Sequence, residues 1–464
     1  MSTSAPAAGP APAAIDPVAA AQRLSIATCL GFGVGTVGVS IMLNAVTPYF
    51  PAFMSTVLGQ SPALAGTLLT VSKLYDAVAD VVIGRMSDRT RSRWGRRRPY
   101  LLVGALVSAV SFLMLFVPPR LDDFWLLAYM SAGLVVYSTG YSLFNVPYMA
   151  MPSEMTDGYH ERTRLLGYRM VFVSIGQLLS GAGTAALIQR GGGGADGYAL
   201  MGLVMSLIIF GAMTAAFFGT ARARVIERSH APARLPGGQL ALLWRNRPFV
   251  LLAAAKVFQF FGFASIAVTG LLFLLNVVHV GYAGQAQLAL CQNLFTFVSL
   301  PFWVRAGRVI GKRNTYLAGV ALFVLGALSW LSAGPGITTL GIWLRGIPSG
   351  LGAGAMLLMA ISMLADTMAY DRRLTGLHRE GLLSAVIAVL EKTSFALGAA
   401  LIGVMLTAAK YVPTTGGALA AQPASAVRAL YLTFSVIPAA IFSLNLLCIW
   451  FYDLDEKKLQ DDPA

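Results

Sequence analysis

Long apolar runs alternate with short polar loops along almost the whole chain. A helix needs about 20 apolar residues to cross the hydrocarbon core of a bilayer. The runs predict such helices near 24–50, 62–86, 100–117, 124–151, 164–189, 198–220, 248–278, 284–307, 315–333, 337–366, 380–407 and 428–452. Strands of a membrane barrel would instead alternate polar and apolar residues in segments of about ten, and no such pattern occurs. Several runs exceed the minimum length, which permits tilt but sets no angle. The expected architecture is an all-α membrane protein of twelve spans.

The polar loops orient the spans. The loop after the second span runs from Ser87 to Arg98 and holds six arginines in twelve residues. Arg162 and Arg164 follow the fourth span. Arg222, Arg224, Arg228, Arg234, Arg245 and Arg247 fall in a long central loop. Arg305, Arg308, Lys312 and Arg313 follow the eighth span, and Arg372, Arg373 and Arg379 follow the tenth. The alternate loops hold only Arg120, Arg190, Lys410 and Arg428. Basic loops stay in the cytoplasm, so both termini are expected there, a parity that twelve spans satisfy and eleven do not. The organisation predicted is a disordered cytoplasmic tail over 1–22, a six-helix bundle over 23–221, a cytoplasmic loop over 222–247, a second bundle over 248–452 and a cytoplasmic tail over 453–464. The Ala/Pro-rich start lacks the basic region of a signal peptide.

A short repeat supports the two halves. Gly95-Arg96-Arg97-Arg98-Pro99-Tyr100-Leu101 opens the third span, and Gly311-Lys312-Arg313-Asn314-Thr315-Tyr316-Leu317 opens the ninth. Transporters built from such repeats bind solute near the midplane, between the halves.

Composition narrows the class. The 464 residues are 56% hydrophobic and 12% charged, against about 25% charged in soluble domains. The net charge of +14 sits in loops between spans, so it reads as a topology signal and no nucleic-acid partner is expected. Cys29, Cys291 and Cys448 lie inside apolar runs without disulfide or metal spacing. No paired His or nucleophile–His arrangement occurs in the spans, so no enzyme and no cofactor are expected.

Ionisable residues inside spans are expensive and need a reason. The second span carries Lys73, Asp76 and Asp80, the fifth Arg169, the seventh Lys256, the tenth Arg345, and the eleventh Glu391 and Lys392. Asp76 and Asp80 lie one turn apart on one face. Lys73 is placed to pair locally with Asp76, and Lys256 to snorkel from a helix end. Two readings of the aspartates stand: ion pairs locking helices together, or a cation site. Two carboxylates on one face supply oxygen ligands to Na⁺ or Li⁺, or share a proton. Lys392 is the matching counter-charge. In the fourth span, Pro147 should loosen the helix and turn Ser142, Asn145 and Tyr148 towards a polar cavity.

These residues resemble the glycoside–pentoside–hexuronide:cation symporters, the melibiose-permease branch of the major facilitator superfamily. The resemblance rests on Asp76-Ala77-Val78-Ala79-Asp80 with Gly84, on Ser87 to Pro99, on Val146-Pro147-Tyr148, on Glu161 to Leu165, on Asp366 with Tyr370, and on Lys392. It runs from about residue 30 to 452. It implies two six-helix bundles and sugar uptake coupled to H⁺, Na⁺ or Li⁺. It also implies a cation site at Asp76, Asp80 and Ser142, with Lys392 beside it. The chain departs from that pattern at several positions. Ala79 stands where Na⁺-using relatives often carry asparagine. Ser40 and Asn145 stand for two sugar-binding aspartates, Met149 for an aromatic residue, and Arg169 lies one position from the expected arginine. Galactoside specificity therefore does not carry over.

The expected function is symport of a sugar or glycoside by alternating access in the inner membrane, by a monomer. H⁺ is favoured over Na⁺, because Ala79 withholds a ligand oxygen. The solute is expected near Ser40, Asn145, Tyr148, Arg169 and Lys392. Asp88 with Arg96 and Arg97 is expected to gate the cytoplasmic face. A carrier of amphiphilic or lipid-like solutes is the alternative. A non-transporting receptor is disfavoured, since no signalling domain is present.

Overall fold

The computed structural model describes residues 24–156, 159–221, 223, 241–377 and 379–454. The expected N-terminal tail, most of the central loop with Arg222, Arg224, Arg228 and Arg234, and nearly all of the C-terminal tail lie outside the described residues.

Among the described residues, twelve long helical units follow one another. The first six are α1 (Ile26–Thr56), α2 (Pro62–Arg89), α3 (Arg98–Phe116), α4 (Asp123–Met155), α5 (Tyr159–Leu178, then a π turn Leu179–Gly183 and Thr184–Arg190) and α6 (Ala195–Gly219). The second six are α7 (Arg247–Asn276), α8 (Gly281–Val298 and Leu300–Val309), α9 (Lys312–Ser329), α10 (Thr339–Thr375), α11 (Glu380–Ala408) and α12 (Ala424–Tyr431, a π turn Leu432–Val436, and Ile437–Trp450). Among the described residues, nine helices are long and apolar enough to cross a membrane, and ten when the two pieces of α8 count as one. The remaining two, α2 and α4, have 28 and 33 residues but are more polar.

Local chemistry sets the helix ends. Ser61, Asn246 and Thr338 each accept a hydrogen bond from a first-turn backbone N–H of α2, α7 and α10. Gly376, at φ 67°, ends α10 in the left-handed conformation. Pro301 opens the second piece of α8, and the two pieces meet at 45°. In contrast, α4 runs unbroken through Pro147 and Pro152, so the expected loosening at Pro147 does not occur.

The packing repeats with a period of six helices. In the first set, α1 packs on α5 and α6, α3 on α4 and α6, and α2 on α4. In the second set, α7 packs on α11 and α12, α9 on α10 and α12, and α8 on α10. The sets meet where α2 lies along α11 and α5 along α8, contacts that the same relation exchanges. The short sequence repeat takes part. Gly95 and Gly311 both adopt positive φ (87° and 83°) just before α3 and α9. In each case a following basic residue pairs with a carboxylate on the next helix: Arg97 with Glu154, and Lys312 with Asp366.

The two sets are sealed together at the end opposite the basic loops. The C-terminal end of α1 pairs with the loop after α11: the N–H groups of Thr414, Gly416 and Gly417 donate to the carbonyls of Ser55, Val57 and Thr56 at 2.8, 3.0 and 2.9 Å. Tyr282 donates to Tyr198 at 3.2 Å. The largest buried apolar cluster crosses between the sets here, through Val57, Tyr198, Leu275, Tyr282 and Leu430. Towards the basic end, a separate cluster around Tyr316, Met359 and Phe442 draws only on the second set.

Candidate functional site

Asp76 and Asp80 project from one face of α2 towards α4 and α11. The Ser142 hydroxyl lies 3.1 Å from Oδ1 of Asp76 and 2.6 Å from Oδ1 of Asp80. Lys392 Nζ donates to Oδ2 of both, at 2.8 and 2.5 Å. One ammonium thus joins two carboxylates across the boundary between the helix sets. The carboxylates are unequal: the Asp76 side chain is 3% exposed and that of Asp80 is 28%. Ala79, buried beside them, offers no side-chain oxygen.

This cluster borders a cavity of about 590 Å³ between the sets, within the range of small-molecule sites. The first set contributes Asn44, Thr47, Lys73, Asp76 and Tyr141. The second contributes Phe260, Phe263, Gln285, Gln292, Glu391, Lys392, Phe395 and Phe434. The π turn of α12 presents Phe434. A larger recess of about 660 Å³ lies at the sealed end, around Arg120, Trp125 and Asp196, away from these charges.

The other expected residues are placed differently. Ser40 is buried against α5, where its Cβ would lie 2.6 Å from a Cβ built on Gly176, and it does not line the cavity. Asn44, one turn on, lines it instead and donates to the Ser40 carbonyl. Tyr148 is fully buried inside the first set. Its ring stacks on Phe32 at 4.5 Å, and its hydroxyl bonds the Phe32 carbonyl and Thr36. Asn145 does not border the cavity. Arg169 lies near Tyr148 and Tyr141, at one remove from the cavity wall.

Two further charges differ from expectation. Among the described residues Lys73 has no ion-pair partner, so the expected local pair with Asp76 does not form. Lys256 does not snorkel: its side chain is 14% exposed and bonds Glu391 at 3.1 Å, next to the cavity. Arg345 has a structural place, donating to the carbonyls of Ser329 and Gly341 and to the Ser332 hydroxyl.

At the basic end, Arg97 bonds Asp88 at 2.7 Å and Glu154 at 2.6 Å, and Arg96 bonds Glu154 at 2.7 Å. Asp88 is largely exposed while Glu154 is 9% exposed, so Glu154 is the buried anchor of this cluster. Its one sequence signal is a lone carboxylate closing an apolar run. The cluster joins α2, α3 and α4 of a single set. On α10, Asp371 bonds Arg379 at 2.6 Å, with both side chains almost wholly buried and Asn246 as a third partner.

The chain is similar to proteins of known sequence and structure. The chain is 29% identical over 452 residues to an uncharacterized symporter of Bacillus subtilis, covering 95% of this chain and 94% of that one. It is 27% identical to a glucuronide carrier protein homolog of Escherichia coli, covering 95% of each chain. It is 26% identical to an isoprimeverose transporter of Lactiplantibacillus pentosus, covering 90% of this chain and 86% of that one. A solved structure from work on proton-dependent oligopeptide transporters superposes over 94% of this chain and 99% of the other, with a TM-score of 0.66 at 13% identity, which shows the shared fold. Residues 31–456 match the family described as MFS/sugar transport protein. The chain therefore belongs to the glycoside–pentoside–hexuronide:cation symporters of the major facilitator superfamily, and is a membrane transporter and not an enzyme.

Proposed function

We propose that this protein carries a sugar or glycoside into the cell together with a cation, by alternating access, with H⁺ as the coupling ion. The observation that carries this reading is Lys392, which reaches from the second helix set to both carboxylates of the first. A cation arriving at Asp80, the more exposed carboxylate, competes with that ammonium. Coupling then follows from geometry, because the displaced lysine lies on the cavity wall where the solute sits. Relatives named for isoprimeverose and glucuronide transport support the solute class. A proton needs one carboxylate, whereas hard cations are typically held by about six oxygens; Asp76 and Asp80 offer up to four and Ser142 one, and with Ala79 contributing none the rest would have to come from backbone or water.

With the basic loops and both termini in the cytoplasm of the inner membrane, the sealed end is the outer one. The structure then corresponds to an inward-facing state of a monomer. Outward opening would have to break the pairing of Thr414–Gly417 with Ser55–Val57.

Separate H⁺ and Na⁺ gradients imposed on proteoliposomes test the assignment. Solute should accumulate under a pH gradient, and Asp76→Asn and Asp80→Asn should each abolish accumulation, with at least one keeping exchange. Accumulation driven by Na⁺ alone would refute the proton. Accumulation persisting in both variants would make the carboxylates structural.

A further inference from the structure

Resting on that reading of a sugar symporter, we propose that Glu391 is a solute-binding residue, whose carboxylate accepts hydrogen bonds from two neighbouring hydroxyls of the sugar while Lys256 neutralises it from behind the wall.

The inference starts from where the charges stand. Two carboxylates line the cavity, Asp76 and Glu391. Asp76 is engaged at both oxygens, Oδ1 by Ser142 and Oδ2 by Lys392, and its side chain is 3% exposed. Glu391 is different. Among the described residues only Lys256 bonds it, through Oε1 at 3.1 Å, and its side chain is 26% exposed. An ionised carboxylate offers about four acceptor sites, so most of them remain for donors in the cavity. Its partner does not share that position. Lys256 stays off the cavity wall, with its ammonium 5.5 Å from the centre of the Phe260 ring. The buried pair of Asp371 and Arg379 shows the other arrangement. There both side chains are at most 2% exposed, and Asn246 adds a third bond. A pair that only joins α7 to α11 has no need of a half-open carboxylate, whereas a binding site has.

Helical spacing puts an apolar platform beside it. Ala388, Glu391, Lys392 and Phe395 form the face of α11 that lines the cavity, and Phe260 and Phe263 line it from α7. Phenyl faces can cover the C–H face of a sugar ring while the carboxylate takes hydroxyls at its edge. An ionised carboxylate only accepts, so it selects groups that donate, which an ether or a deoxy position cannot do. The same turn of α11 carries Lys392 to the carboxylates of α2. A sugar held at Glu391 therefore sits one residue from the lysine that the cation displaces.

Uptake by the purified full chain in proteoliposomes tests this with methyl glucoside, methyl galactoside and methyl xyloside, and with derivatives of each lacking one ring hydroxyl. For at least one sugar, removal of either of two neighbouring hydroxyls should raise the half-saturation concentration about tenfold to a hundredfold, the worth of a hydrogen bond to a charged group. Glu391→Met with Lys256→Met replaces the pair by apolar side chains of similar length, a change that buried pairs tolerate. In that variant the same removals should cost less than about twofold, a difference that the loss of a merely structural pair would not produce. Glu391→Asp keeps the charge but withdraws it by one methylene. It should lower the penalty too, and it decides should the double variant fail to reach the membrane. No hydroxyl penalty in wild type, or a penalty unmoved in the variants, overturns the inference and leaves sugar symport standing. Uptake of none of the three parent sugars, under any imposed gradient, overturns both readings.

Discussion

Replacing Gly66 or Gly403 with alanine should push the protein out of the closed-end state seen here. These two residues sit where α2 and α11 cross. A Cβ at position 66 would lie 2.4 Å from the backbone oxygen of Ala399, and one at position 403 would lie 2.4 Å from that of Pro62. Ordinary contact begins at 3.4 Å, so each alanine requires the helices to part by about 1 Å. The opposing atoms are backbone and have no rotamer by which to escape. Overpacking of this kind costs about 1–3 kcal/mol. That cost falls on the state in which α2 and α11 touch and is relieved when they separate. It shifts the balance about fivefold to a hundredfold towards outward opening. The assay places a cysteine at Asn44, on the cavity wall, after replacing Cys29, Cys291 and Cys448 with alanine. A membrane-impermeant maleimide is then added outside intact cells. Gly66→Ala should label faster by that factor, and inside-out vesicles should label no faster. Unchanged labelling from outside, at wild-type abundance, would show that this close approach is not what holds the end shut.

Other substitutions separate anchoring residues from solute-binding ones. Glu154→Gln should lower thermal stability in detergent by about 3 kcal/mol, because it leaves Arg96 and Arg97 without their buried anion. Asp88→Asn, at an exposed partner, should cost at most about 1 kcal/mol in the same measurement. Tyr148→Phe should cost about 1 kcal/mol through its lost bonds to Phe32 and Thr36, while leaving the half-saturation constant for solute within about twofold. A larger shift in that constant would return Tyr148 to the solute site.

Much of the fold was legible because membrane helices must be long and apolar, and because arginine-rich loops repeat every second connection. The Asp76, Asp80, Ser142 and Lys392 cluster was legible for a related reason. Charges are rare in such runs, so a one-turn spacing on α2 and a single lysine on α11 stand out. Contacts among uncharged residues were not legible. A span apolar all round does not say which face meets its neighbour, so Ser40 was placed a turn away from Asn44, the residue that lines the cavity. Tyr148 misled because a tyrosine after a proline reads as a polar tip near a cavity, whereas two local acceptors satisfy it inside the bundle. The four cavity phenylalanines could not be told from the many others in the chain. Proline gave no uniform signal: Pro301 coincides with a 45° bend, while Pro147 and Pro152 leave α4 continuous.

The charge around the cavity bears on how leakage of the coupling ion is prevented. Tight coupling requires that the carrier reorient when empty or fully loaded, but not with the cation alone. Around the cavity Lys73, Lys256 and Lys392 balance Asp76, Asp80 and Glu391 in formal charge. With a neutral solute, the cation-only and fully loaded forms carry the same net charge, so charge cannot distinguish them. Contacts with the solute must do so, and its hydrogen bonds to Glu391 are among them. Glu391→Met with Lys256→Met removes those bonds and leaves the net charge unchanged. Proteoliposomes with no solute and an imposed pH gradient should accordingly lose that gradient as slowly with this variant as with wild type. Adding the methyl glycoside should speed the loss in both, but the variant should need about tenfold more of it or beyond, the worth of at least one hydrogen bond to a charged group. Faster loss without solute in the variant would show that the Lys256–Glu391 pair itself holds back the cation-only form, and that coupling is not enforced by contacts with the solute alone.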